Sequence, residues 1–247
     1  MRTPALSLAV TCALLGAACE LNLRYDERSF PQPVEVIDVA GDSSEVELVL
    51  APTPDGAVLV ERTMRWNSGT PRGDWFTSAS TLRLASDCDA VTEVCDASYL
   101  ITTPLPVILR TRVDSGHGHV TVTGARGLEV ARGDGRVEMS AVSGAIDIVT
   151  GSGAVVGAAL RASSCAIRTG SGAVGLAFTR APDSVRIETE SGAVSVLVPP
   201  GSYRLALASE RGAIETEGVE HEPRALAEIA ITTDRGDIEV HGVDLSN

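Results

Sequence analysis

From Val34 onward, apolar residues recur at every second position in short runs: Val34–Val39, Val46–Leu50, Val58–Arg62, Leu82–Leu84, Tyr99–Ile101 and Val107–Val113. A period of two sends successive side chains to opposite faces, so each run predicts a strand with one buried face. Turn signals separate the runs, among them Ala40-Gly-Asp42, Pro54-Asp-Gly56 and Ser68-Gly-Thr-Pro71. No window carries a helical period.

The second half repeats itself. Gly, one residue, then Val or Ile occurs at Gly118-His-Val120, Gly135-Arg-Val137, Gly144-Ala-Ile146, Gly153-Ala-Val155, Gly172-Ala-Val174, Gly192-Ala-Val194, Gly212-Ala-Ile214 and Gly236-Asp-Ile238. First apolar positions at Leu128, Val137, Ile146 and Val155 lie nine residues apart, and the glycines at 135, 153, 172, 192 and 212 lie eighteen to twenty apart. Each longer period holds two strands and two turns. The fold predicted is all-β: a parallel β-solenoid with two strands per rung, preceded by less regular N-terminal strands. Roughly seven rungs from Val113 to the end give a rod of about 35 Å. Val137, Ile146, Val155, Val174, Ile187, Val194, Val196, Ile214 and Ile238 should face inward. Glu138, Asp147, Arg186, Ser195, Glu215 and Glu239 should face water. Gly supplies the positive φ that sharp corners between such short strands require.

The N-terminus reads as an address. Arg2, an apolar run from Ala5 to Leu15, and Gly16-Ala17-Ala18-Cys19 fit a signal segment too short to span a bilayer. The organisation expected is a signal peptide over 1–18, a lipid-anchored tether over 19–33 and a repeat domain over 34–247. The box before Cys19 resembles a bacterial lipoprotein signal, which implies lipidation of Cys19. Its leucine, Leu15, stands one position further from the Cys than is usual, and the same box also suits ordinary cleavage. In an exported protein, Cys88 and Cys95 on one short acidic loop predict a disulfide, with Cys165 left as a buried thiol.

Composition narrows the function. Aromatics are 3%, so the core must be aliphatic. Beyond residue 18, 19 basic groups face 33 acidic ones, a balance that repels phosphate backbones and argues against nucleic-acid partners. Thr150-Gly-Ser-Gly-Ala-Val155 imitates a nucleotide-binding turn, but its copy at 169–174 leaves no room for the helix that such a site needs. His117 and His119 lack a third ligand, and Asp87, Asp89, Glu93 and Asp96 lack calcium-loop spacing; no metal site and no cofactor are expected. Arg-Gly-Asp occurs at 72–74, 132–134 and 235–237, twice as part of the repeat. No catalytic motif is present, so the protein reads as a non-enzyme. The aromatic segment Trp66, Trp75 and Phe76 is the candidate ligand contact, unless it caps the open apolar end of the solenoid.

Repeated Ser/Thr-Gly-Ser-Gly-x-Val phrases after Cys95-Asp-Ala-Ser-Tyr-Leu-Ile-Thr-Thr-Pro104 resemble the bacterial putative-adhesin family, most closely over 98–240. That family comprises β-strand-repeat domains of unknown function, often on exported lipoproteins. The resemblance implies an envelope-anchored, adhesin-like scaffold held to a membrane by lipid, with an unidentified protein or envelope ligand. An envelope-stress sensing domain acting on a membrane partner is the alternative, and a hydrolase working through scattered carboxylates is a second.

Overall fold

The computed structural model describes residues 7–10, 21–41, 43–67, 71–87 and 95–244, all strand, turn or extended chain. In chain order the first strands are β1 (Ser7–Val10), β2 (Leu21–Phe30), β3 (Val36–Gly41), β4 (Ser43–Leu50), β5 (Val58–Trp66), β6 (Arg72–Ser78), β7 (Thr81–Asp87) and β8 (Cys95–Thr103). The regular part continues with β9 (Ile108–His117), β10 (His119–Thr123), β11 (Gly127–Asp134), β12 (Val137–Ser140), β13 (Ala145–Ser152), β14 (Val155–Leu160), β15 (Ser164–Ser171) and β16 (Val174–Phe178). It closes with β17 (Ser184–Ser191), β18 (Val194–Val198), β19 (Gly201–Arg211), β20 (Ile214–Glu217), β21 (Val219–His221), β22 (Glu228–Arg235) and β23 (Ile238–Gly242).

These strands form a twelve-stranded and an eleven-stranded sheet, packed face to face. Nine two-strand rungs each give one strand to either sheet and stack in parallel, as the two-residue alternation predicts. At about 4.8 Å per rung the stack is roughly 40 Å long. One interior ladder runs Val120, Val137, Val155, Val174, Val194, Ile238. Its counterpart on the other sheet runs Leu128, Ile146, Cys165, Val185, Ile229. All of these side chains are buried, whereas Asp147, Arg186, Glu215 and Glu239 are exposed and Glu138 and Ser195 are half-buried on the outer face.

Ile214 is the exception. It pairs with Ile238 and follows the inward register, yet it is 44% exposed, because among the described residues no rung covers it. The rungs also depart from chain order. β3–β4 lies between β7–β8 and β9–β10, and β22–β23 lies between β17–β18 and β19–β20. The N-terminal end is closed by antiparallel strands: β2 and β5 continue one sheet beyond β8, and β6 continues the other beyond β7. Leu21–Phe30 was expected to belong to a tether; instead it pairs with β5 along nearly its full length. Alternation did not reveal it, because Phe30 is its one buried residue.

Candidate functional site

The aromatic segment lies at the closed end. β6 alternates like any strand, so Trp75 turns inward and Phe76 outward. Trp75 packs against Phe30, with ring centroids 6.2 Å apart. The Arg62 guanidinium stands over its ring at 4.3 Å and that of Arg28 at 5.5 Å, two cation–π contacts on one indole. Arg62 is itself buried, and its Nη2 donates to Asp26 Oδ2 at 2.7 Å, which neutralises the charge it carries inside. The Gly73 backbone lies against the same guanidinium; a Cβ there would overlap Arg62 Nη1. Tyr99, directly across from Arg62, is fully buried, and burial raises its phenol above the usual range. Tyr25 on the outside of β2 donates to Glu61 at 2.6 Å, a bond that pushes its phenol upward as well.

The solenoid corners carry polar ladders. Thr150, Thr169, Thr189 and Thr233 occupy the last inward position of successive rungs, and all four are buried. The Thr150 and Thr169 hydroxyls donate to the carbonyls of Ser152 and Ser171, two residues further along. Above them on the outer face is an open depression of about 480 Å³, where Gly170 leaves space and Arg168, Glu188, Glu190 and Asp234 supply charge. Arg168 and Glu188 lie 3.9 Å apart across neighbouring strands. A second open depression, about 410 Å³, is lined by Glu45, His119, Thr121, Arg136 and Glu138 on the other sheet. Among the described residues, the buried polar side chains are Arg, Ser and Thr, with no buried acid or histidine. The two depressions on the outer faces offer charged and hydrogen-bonding groups.

The predicted site residues do not converge. Trp75 is in the core, Trp66 packs against it from the end of β5 in the other sheet, and Phe76 is 47% exposed beside Arg83. Of the three, Phe76 is the aromatic free to meet a ligand. Cys19, Cys88 and most of the acidic loop lie outside the described residues; Cys95 opens β8. Cys165 is free and buried, and burial pushes its thiol up to about 12, with Asp147 adding to the effect. His119 is exposed, and among the described residues no three His, Cys, Asp or Glu side chains are grouped to hold a metal. Two of the three Arg-Gly-Asp copies have structural duties: Arg132 is buried at a corner, Asp134 accepts from the Ser152 hydroxyl, and Asp237 Oδ1 accepts the Ala213 amide at 2.8 Å. Sequence reasoning missed the Thr ladder, although its signal was present: a Thr three residues before each of Gly153, Gly172, Gly192 and Gly236. The Arg62–Asp26 pair had no such signal, because it joins residues thirty-six apart.

The sequence pattern of a family described as Toastrack DUF4097 matches residues 109–241, just over half of the chain. A putative adhesin from Bacteroides fragilis NCTC 9343 is a similar solved structure, with 13% identity, TM-score 0.47, and 90% of this chain and 97% of that one covered. A putative adhesin from Parabacteroides distasonis ATCC 8503 gives 11%, 0.47, 88% and 96%. A putative lipid binding protein from the same organism gives 11%, 0.40, 87% and 96%. No curated protein matches the sequence.

Proposed function

The chain belongs to the Toastrack DUF4097 family, and on that footing we propose that it is a non-catalytic cell-envelope lipoprotein whose solenoid is an adhesin-like scaffold. One observation carries the anchored reading: an apolar run ending in Gly16-Ala17-Ala18-Cys19 immediately before β2 (Leu21–Phe30), a strand of the closed end. A lipid on Cys19 would hold that end of the rod against the membrane and turn the opposite end, with the outer faces, toward the surroundings. The outer faces suit contact rather than chemistry, since they are long, polar and studded with exposed charge. The Cys88–Cys95 bridge belongs to the same proposal, because an exported loop is a place where a disulfide persists.

Cell fractionation of Cys19→Ala tests it. The wild-type protein should sediment with membranes and carry lipid on Cys19 by mass spectrometry, and the variant should be released. A variant that stays membrane-bound, or an unmodified native Cys19, would overturn the anchored reading.

A further inference from the structure

The two ends of the rod differ. Antiparallel strands with Trp75 and Phe30 close one end, whereas β21 covers the other only at Gly201–Tyr203. Beyond Tyr203, the outer side of β19 has no neighbouring strand among the described residues, and neither does the outer side of β20 along its whole length. The inward ladder continues into this rung and is left half covered. Leu205 and Leu207 are only partly buried, while their ladder mates Ile229 and Ile231 are fully buried. Ile214 is 44% exposed, and Leu226 on the connection to β22 is 98% exposed. The outward backbone groups already take partners where these are offered. The Leu205 amide donates to His221 Nδ1 at 3.1 Å, and the Tyr203 carbonyl accepts the Glu222 amide at 3.0 Å.

An open edge above a half-covered apolar row is the template for strand addition. Charge selects the occupant. Glu210, Glu215, Glu217, Glu220 and Glu222 surround this end, all exposed, and outnumber the exposed Arg211 and Arg224, while Arg204 is engaged by Glu228 at 2.9 Å. A second copy meeting it end to end would set two acidic rims against each other, which opposes self-association. A basic partner gains from the same rim. We propose that the β19–β20 rung accepts an extended, cationic segment of another protein, alternately apolar and basic, which adds as a further rung and covers Leu205, Leu207 and Ile214. This deepens the scaffold reading by placing its partner, and it depends on edge pairing, not on the lipid. The fractionation test and the test below therefore fail independently.

The probe is a nine-residue peptide alternating Val and Arg, with a Val and Glu peptide as its counterpart, both titrated against the full-length protein. Fluorescence anisotropy should show binding of the Arg peptide alone, and hydrogen exchange should slow over residues 204–217. Glu215→Lys should weaken binding about fivefold, and Asp55→Lys, the same charge change on a distant exposed turn, should do markedly less. Equal binding of the Glu peptide, unchanged exchange over 204–217 with peptide bound, or equal effects of the two Lys variants would overturn the proposal. So would protection of 204–217 that grows with protein concentration alone, which would make the occupant a second copy.

Discussion

Cys165 stands in the interior ladder between Ile146 and Val185, where a thiol serves as a small apolar side chain. Its folded pKa, about 12, exceeds the ordinary 9.0 of an exposed thiol. The fold therefore keeps a proton that the unfolded chain gives up. That stabilisation is complete below pH 9 and is lost as pH rises from about 9 toward 12. Tyr25, Tyr99 and Tyr203 are also raised, so the comparison must isolate the thiol. Urea unfolding at pH 8 and pH 10 should show the wild type losing roughly 1 kcal/mol more than Cys165→Ala. Equal losses would refute the assignment. Val194 and Ser195 test the two faces: Val194→Asp buries an unpaired charge and should cost several kcal/mol. Ser195→Asp stays at the surface beside Glu239 and should cost no more than about 1 kcal/mol. Similar melting shifts for both would mean that the strands are not one-sided.

At the scale of the element, the corners are fixed by stacked glycines. Gly153, Gly172, Gly192 and Gly236 have φ between 135° and 152°, and a Cβ on any of them would overlap the carbonyl of the glycine in the neighbouring rung. Gly172→Ala should therefore cost about 3 kcal/mol or more in denaturant unfolding, through backbone strain and the Gly153 carbonyl. Gly175, three residues on, has open space where a Cβ would sit, so Gly175→Ala should be neutral or slightly stabilising. A neutral Gly172→Ala would show that the corner can relax. The repeat made these strands legible, since Val or Ile two residues after each Gly fixes both the corner and the inward face. β2 was illegible for the opposite reason: its work is done by Asp26, which neutralises Arg62, and by Phe30 against Trp75, not by an apolar row.

At the scale of the molecule, the sequence predicts a rod and its interior but not the order of its rungs. Alternation specifies which way a side chain points, and nearly identical Val and Ile rows fit one another in any order. Ile214 shows the limit: its pattern matches that of Val194, and it is exposed because no described strand lies beyond it. The candidate contact residues were legible as aromatics in one segment, but strand alternation then placed Trp75 and Phe76 on opposite faces.

The displaced rungs change what the two termini of the chain mean. In a solenoid wound strictly in order, shortening the chain shortens the rod from its tip. Among the described residues, β22 and β23 are the only ladder partners that join β19 and β20 to the seven rungs behind them. Trimming the chain back past Glu228 removes a slice from within the stack and leaves the acidic tip with nothing to stand on. Strands β22 and β23 are the keystone of the acidic end.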